Sequence, residues 1–481
     1  MSISRRAFVV SSAASAALAS ISTQAYSAGS GEIDVIVIGA GLSGLETALT
    51  LEENGLRVLI LEGRKRVGGR VFTLFDLPGH PEVGGNSIAN AYGRCIAAAS
   101  KHKVEIVNIA PRLLGKPLAQ ELFIDGEHII PKDWESHAKN PFTPEMKRLL
   151  PWAWSGEMIK KHMPFRDLEN WYDAKYFKHD ISMHEFLASK GATDAMIHLG
   201  FNTNLSYGTN SYDVSFLQIA FTEYWQAVNR SEKSKLLVGV FKDGNQNLPI
   251  AMANHIKGDI LQDKCVTAID VRDESAKVTC NDGKTYRAKA VVCSMPFSTL
   301  RHVAINPLPE AMQLKAIKTL GYIPITQFHI VPKKPFWEAD GLSPSMWTNG
   351  PLGTVLAQRS GKSDVEITSL TVWCRGLNGL FIDRFKSEEA KKLIISEFEK
   401  LRPAAKGLIN IAGMHSWNAD PFAAGDWAIF QPGQVSELRA SIAKPHKRLF
   451  FCGEHTAVGS RGMEGALESG ERVSLEVLGS I

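Results

Sequence analysis

Cysteine is scarce: six residues in a chain of 481, namely Cys95, Cys265, Cys280, Cys293, Cys374 and Cys452. No pair has C-x-x-C spacing, so zinc-site and thioredoxin-like readings lack support, and no metal is expected. An excess of charge is also missing. Lys plus Arg number 54 against 50 Asp plus Glu, a formal net charge of +4, which gives no argument for nucleic acid as a partner. There is no internal repeat, and no low-complexity tract beyond the N-terminus. Long apolar runs are absent as well. The N-terminal apolar tract stops at Ile21 and is rich in Ala and Ser, so a permanent membrane span is not expected. What remains is ordinary globular material, 44% hydrophobic and 22% charged, long enough for two or three domains.

The positive content begins at Ile33. Val35–Ile38 is an apolar run suited to a buried parallel strand. Gly39-Ala40-Gly41-Leu42-Ser43-Gly44 follows, a G-x-G-x-x-G. Leu45, Ala48, Leu49 and Leu51 mark an amphipathic helix that Gly55 ends, and Val58–Leu61 closes on Glu62. Strand, glycine turn, helix, strand and acid form the order that a dinucleotide site needs. Gly39 permits the tight turn, Gly41 lets backbone approach a pyrophosphate, and Gly44 lets helix and strand pack closely. The helix start offers free N–H groups to phosphate, and Glu62 can take the ribose hydroxyls.

The following residues select the dinucleotide. Glu62-x-Arg64, then Gly68-Gly69-Arg70, resembles the flavin amine oxidase family, which includes monoamine, polyamine and L-amino-acid oxidases. Glu82-Val83-Gly84-Gly85 resembles that family's next landmark close to the flavin. Near the other end, Arg448–Cys452 runs into Gly453-Glu454-His455-Thr456, and Gly462-Met463-Glu464-Gly465 opens a helix. This resembles the family's final flavin segment. The resemblance implies FAD, held by Gly39, Gly41, Gly44, Glu62, Arg64, Gly69, Arg70, Val266, Glu454 and Met463. Val266 would meet adenine through its backbone, Glu454 the ribityl chain, and Met463 the pyrimidine edge. The implied fold is α/β. A discontinuous Rossmann-like FAD-binding domain (31–110, 241–307, 417–481) joins an α+β substrate domain with an antiparallel sheet (111–240, 308–416).

Departures from the family pattern narrow the chemistry. Asp426 stands where monoamine oxidases carry the cysteine that bonds to flavin, so non-covalent FAD is expected. Trp427 is expected beside the substrate amine. Gly462 takes the place of the facing aromatic residue, which opens the pocket. Leu205, at the end of Phe201–Leu205, is expected to line the substrate cavity. After Gly84-Gly85 come Asn86-Ser87, not the carboxylate-binding arginine of some L-amino-acid oxidases. Arg461 lies nearby in sequence and is the candidate to serve instead, with placement at the surface the favoured alternative. Gln327 stands eight residues before Pro335-Phe336-Trp337, in place of a lysine linked to oxygen reactivity. The resemblance thus assigns the reaction centre to Gln327, Trp427 and Gly462. His455 is expected to be structural, as are most tryptophans of residues 111–240.

The implied activity is oxidation of an amine or amino acid to an imine, which water converts to an aldehyde, ketone or keto acid. The flavin takes the hydride equivalent, so the motif requires no general base. Electrons would pass to oxygen or to a periplasmic electron acceptor. A desaturase or porphyrinogen-type oxidase of an apolar substrate shares the FAD segments, and so does a flavin-binding protein without turnover. Both stay open here, as does a homodimer. Finally, Ser4-Arg5-Arg6-Ala7-Phe8-Val9 is a twin-arginine pattern. It predicts a signal segment over residues 1–28, with cleavage after Ala25, and a periplasmic protein exported with its cofactor inserted. Folding before export limits disulfides, so mostly buried thiols are expected.

Overall fold

Val35–Ile38 is a strand with every side chain buried, as an apolar run must be when both faces of a sheet are covered. It pairs in parallel with Val58–Leu61 on one side and Ala290–Cys293 on the other. Asp259–Leu261 and Leu449–Phe451 extend the two edges, giving five parallel strands. The computed structural model describes residues 32–113, 120–231, 238–360 and 366–481. The expected signal segment lies outside the described residues. Every element below belongs to one unit, Ile33–Ile481.

Alternate side chains of these strands enter two cores, as the two-residue period requires. Val35, Val37, Val292 and Phe450 pack with the helices Leu42–Glu53 and Gly462–Leu478. Ile36, Ile38, Val291 and Phe451 join the larger core on the other face. The two helices touch closely at Gly470, where an added Cβ would stand 2.8 Å from the Ser43 carbonyl oxygen. Chain ends remote in sequence are thereby bound to one sheet.

A smaller four-stranded sheet, Thr285–Ala288, Ala276–Cys280, Val266–Val271 and Ala304–Asn306, falls in sequence between the parallel strands Asp259–Leu261 and Leu449–Phe451. The expected antiparallel sheet is present with seven strands. From one edge inward run Ile411–Ser416, Ile325–Ile330, Ser369–Arg375 and Thr354–Gln358, all antiparallel. One pairing departs from the expectation: Met346–Thr348 runs parallel to Glu121–Ile124. Phe328, Ile330, Val372 and Cys374 point to one face and share a core with Ile394 and Phe398 of the helix Ser387–Leu401. The opposite face is thereby left for Gln327, Trp373 and Arg375. The helix Gly93–Lys101 is followed by a strand at Ile106–Asn108.

All six cysteines are free thiols, five buried and Cys265 half-buried. Among the described residues no helix is long and apolar enough to cross a membrane.

Candidate active site

The parallel strands Val35–Ile38, Val58–Leu61, Ala290–Cys293 and Leu449–Phe451 all end at one cavity of about 590 Å³, lined by the residues that follow them: Gly39, Glu62, Ser294 and Gly453. This is where open α/β sheets bind ligands. Gly39 has φ +103°, a conformation that glycine adopts without a Cβ penalty. Gly41 and Gly69 face each other so closely that a Cβ on Gly69 would meet the Gly41 Cα at 3.3 Å. Gly44 does not line the cavity. An added Cβ there would stand 2.1 Å from the Gly39 carbonyl oxygen, so its part is packing.

The remaining cofactor candidates gather around this turn. Glu62 is 4% exposed. Its carboxylate accepts the N–H of Ala40 and of Arg64, both at 2.8 Å, which holds the loop around the cavity. Arg64 pairs with Asp420 at 2.6 Å. Arg70 pairs with Glu454 at 3.7 Å and donates to the Asp426 carbonyl. It therefore ties the N-terminal glycine segment to the C-terminal one. Arg64, Gly69, Arg70, Val266, Glu454 and Met463 all line the same cavity.

These residues fit a dinucleotide. Both helices that begin at the cavity, Leu42–Glu53 and Gly462–Leu478, lack a side-chain N-cap. Their first N–H groups are left for an anion or an electron-rich ring edge. Ser294 was missed by sequence reasoning. It donates to the Ile38 carbonyl at 2.7 Å and buttresses Gly39; only the known register of its strand reveals it.

The other end of the cavity is aromatic. Trp427 stacks with Tyr207 at 5.5 Å between ring centroids and 27° between planes. Gln327 is 2% exposed, lines the cavity, and its Oε1 has no hydrogen-bond partner. Gly462 has φ +58°, and a Cβ there would meet only the Tyr92 hydroxyl, at 3.9 Å. Tyr92, from a different element, thus borders the space that Gly462 leaves open, and it too lines the cavity. Sequence reasoning missed Tyr92, Tyr207 and Arg375, because no local spacing links them to the flavin motifs.

Two expectations are corrected. Leu205 does not line the cavity. It is 5% exposed and packs into the core, touching the position where Gly376 would carry a Cβ, while its neighbours Ser206 and Tyr207 supply the wall. The chain bends after the helical turn His198–Asn202, which swings Leu205 inward. Arg461 is not at the surface: it is 4% exposed. Its guanidinium lies 4.7 Å from the Tyr207 ring centroid and 5.1 Å from that of Trp427, and it donates to Thr222. It fixes the aromatic pair from behind.

The charges follow from burial. Asp426 lines the cavity, and desolvation raises its carboxyl to about 6 against the pull of Arg70. His455 has no hydrogen-bond partner on either ring nitrogen and packs edge-on to Phe297. Burial and the nearby arginines hold it neutral, well below the usual histidine range. It does not line the cavity, in keeping with a structural part.

Comparison with known proteins agrees with this geometry. The family described as "Flavin containing amine oxidoreductase" matches residues 42–478. YobN of Bacillus subtilis (strain 168), named as a candidate L-amino-acid oxidase, is 27% identical over 92% of this chain and 94% of its own. Pseudooxynicotine dehydrogenase of a Pseudomonas species is 26% identical over 93% of this chain and 86% of its own. Among solved structures, cyclohexylamine oxidase from Brevibacterium oxydans IH-35A superposes with TM-score 0.72 at 20% identity, covering 93% of this chain and 99% of that one. The chain therefore belongs to the flavin-containing amine oxidoreductase family and is an FAD-dependent enzyme of amine oxidation.

Proposed function

We propose that this enzyme oxidises a primary or secondary amine, or an amino acid, to an imine that water then hydrolyses. The observation that carries this reading is the continuity of one cavity. The glycine cradle at one end and the chamber of Tyr92, Tyr207, Trp373, Trp427 and Gln327 at the other line the same space. When bound, FAD supplies the acceptor for the hydride equivalent. Gly39, Gly41, Glu62, Arg70, Glu454 and Met463 would hold it. The protein's own part is to select and orient. Aromatic walls exclude water, and a poorly hydrated chamber favours the neutral amine over its ammonium form. Gln327 offers a fixed acceptor oxygen to an amine N–H.

In this reading the FAD-binding part comprises 31–110, 241–307 and 417–481, and the remainder covers the flavin face. Asp426 and Arg375 in the chamber count against a purely apolar desaturase-type substrate, which would leave both desolvated without compensation. The test is anaerobic mixing of the FAD-loaded enzyme with a panel of amines and amino acids while flavin absorbance is followed. Rapid bleaching by at least one of them is expected. A flavin left oxidised by every member would favour the flavin-binding protein without turnover.

Arg5-Arg6 directs export to the periplasm in this reading, where oxygen or an electron carrier takes the electrons. Changing both to lysine should hold the protein in the cytoplasm with FAD bound. Undiminished periplasmic recovery of that variant would refute the export route.

A further inference from the structure

The face of the antiparallel sheet above the cavity carries hydrogen-bonding groups with nothing to bond. In the strand register Gln327 stands opposite Trp373, and Ile325 opposite Arg375. Residues opposite or two apart share a face, and all four line the cavity. Gln327 Oε1, Trp373 Nε1 and Arg375 Nε are buried without a partner. Arg375 makes a single hydrogen bond, from Nη1 to Ser206 Oγ at 3.3 Å, and its guanidinium covers the Trp373 ring at 4.3 Å. It forms no ion pair among the described residues. Buried polar groups are nearly always satisfied, so three orphans on one patch call for a ligand.

We propose that Arg375, with the Trp373 indole N–H, binds the carboxylate of the substrate. The substrate is then an amino acid, not a simple amine. This rests on the amine-oxidation reading above and narrows it. The polarity of the patch matches such a molecule: an unpaired acceptor at Gln327 for the amine, and unpaired donors at Trp373 and Arg375 for the carboxylate. Burial lowers the Arg375 guanidinium to about 10, still cationic at neutral pH. Its place over the Trp373 ring and the bond to Ser206 restrain the guanidinium, and a restrained fork suits bidentate recognition of a carboxylate. Asp426 is the charge that competes. It lines the same cavity but lies beyond ion-pair distance of Arg375, acting on it only through space.

Binding can be tested without turnover. Benzoate has a carboxylate and no amine; benzamide has the same shape and no charge. Titration calorimetry of the FAD-loaded enzyme is expected to give benzoate at least about tenfold tighter than benzamide, the effect of one charge-assisted hydrogen bond. Arg375→Gln should abolish that preference while benzamide binding, flavin content and melting temperature hold. Arg375→Lys should keep part of it, since the charge remains without the fork. Equal binding of the two probes, or a benzoate preference that survives Arg375→Gln, would overturn the proposal. In turnover, L-phenylalanine should bleach the flavin in preference to 2-phenylethylamine, and Arg375→Gln should raise KM for the former alone. If amines lacking a carboxylate bleach it as well as amino acids do, Arg375 falls and amine oxidation stands. If nothing bleaches it while benzoate binds through Arg375, the reverse holds.

Discussion

At the scale of single residues, the chemistry turns on what is not charged. Gln327 is neutral where a lysine would put a cation. Oxygen takes its first electron to become superoxide, so a nearby positive charge favours that step. A unit charge at about 6 Å in an effective dielectric of about 20 contributes roughly 2–3 kcal/mol before screening, which leaves about tenfold to a hundredfold in rate once solvent screens part of it. Gln327→Lys is therefore expected to speed reoxidation of the reduced enzyme by that factor in stopped-flow mixing with oxygenated buffer. A native enzyme that already reoxidises as fast would remove Gln327 from control of the acceptor. Glu82 is the opposite case, an acid held back. It accepts from the Asn245 N–H at 2.6 Å and the Thr73 hydroxyl at 2.7 Å, yet burial dominates and pushes it up to about 8. A carboxyl raised from 4.5 to about 8 on folding stabilises the fold fully below pH 4.5. That contribution is lost as pH rises through about 8. Melting temperature should accordingly fall between pH 6 and pH 9, and fall less in Glu82→Gln. Equal slopes for the two proteins would rule Glu82 out as the cause.

At the scale of elements, glycines that look alike in sequence do different work. Gly44→Ala would drive a Cβ into the Gly39 carbonyl and the Ser294 hydroxyl, separating helix from strand. A loss of about 1–3 kcal/mol together with most bound FAD is expected, read from thermal melting and the flavin-to-protein absorbance ratio. Gly462→Ala meets open space and should cost only the left-handed backbone, about 1–2 kcal/mol. If both variants melt alike and keep FAD, the packing assignment of Gly44 is wrong. Such positions were legible in the sequence because a turn, a helix start and an acid at fixed offsets leave a local pattern. The chamber was not. Leu205 turned into the core while Ser206 and Tyr207 took the wall, a shift of one or two residues that no composition encodes. Arg375 ends an unremarkable strand, and only the register opposite Ile325 puts it on Gln327's face. Arg461 read as a surface residue because arginines usually are; two aromatic rings brought together by the fold made it interior.

At the scale of the whole molecule, the cofactor site draws on both chain ends and needs no covalent bond. Asp426 has no nucleophilic sulfur, so acid precipitation should release yellow FAD into the supernatant. Colour retained in the pellet would show a bond to some other residue. The edge strand Leu449–Phe451 and the helix Gly462–Leu478 belong to the same sheet and core as the first strand. On the ribosome the glycine turn emerges long before Glu454 and Met463. A nascent or prematurely terminated chain can therefore make only part of the flavin's contacts. Retained FAD is then a certificate that translation ran to the C-terminal helix.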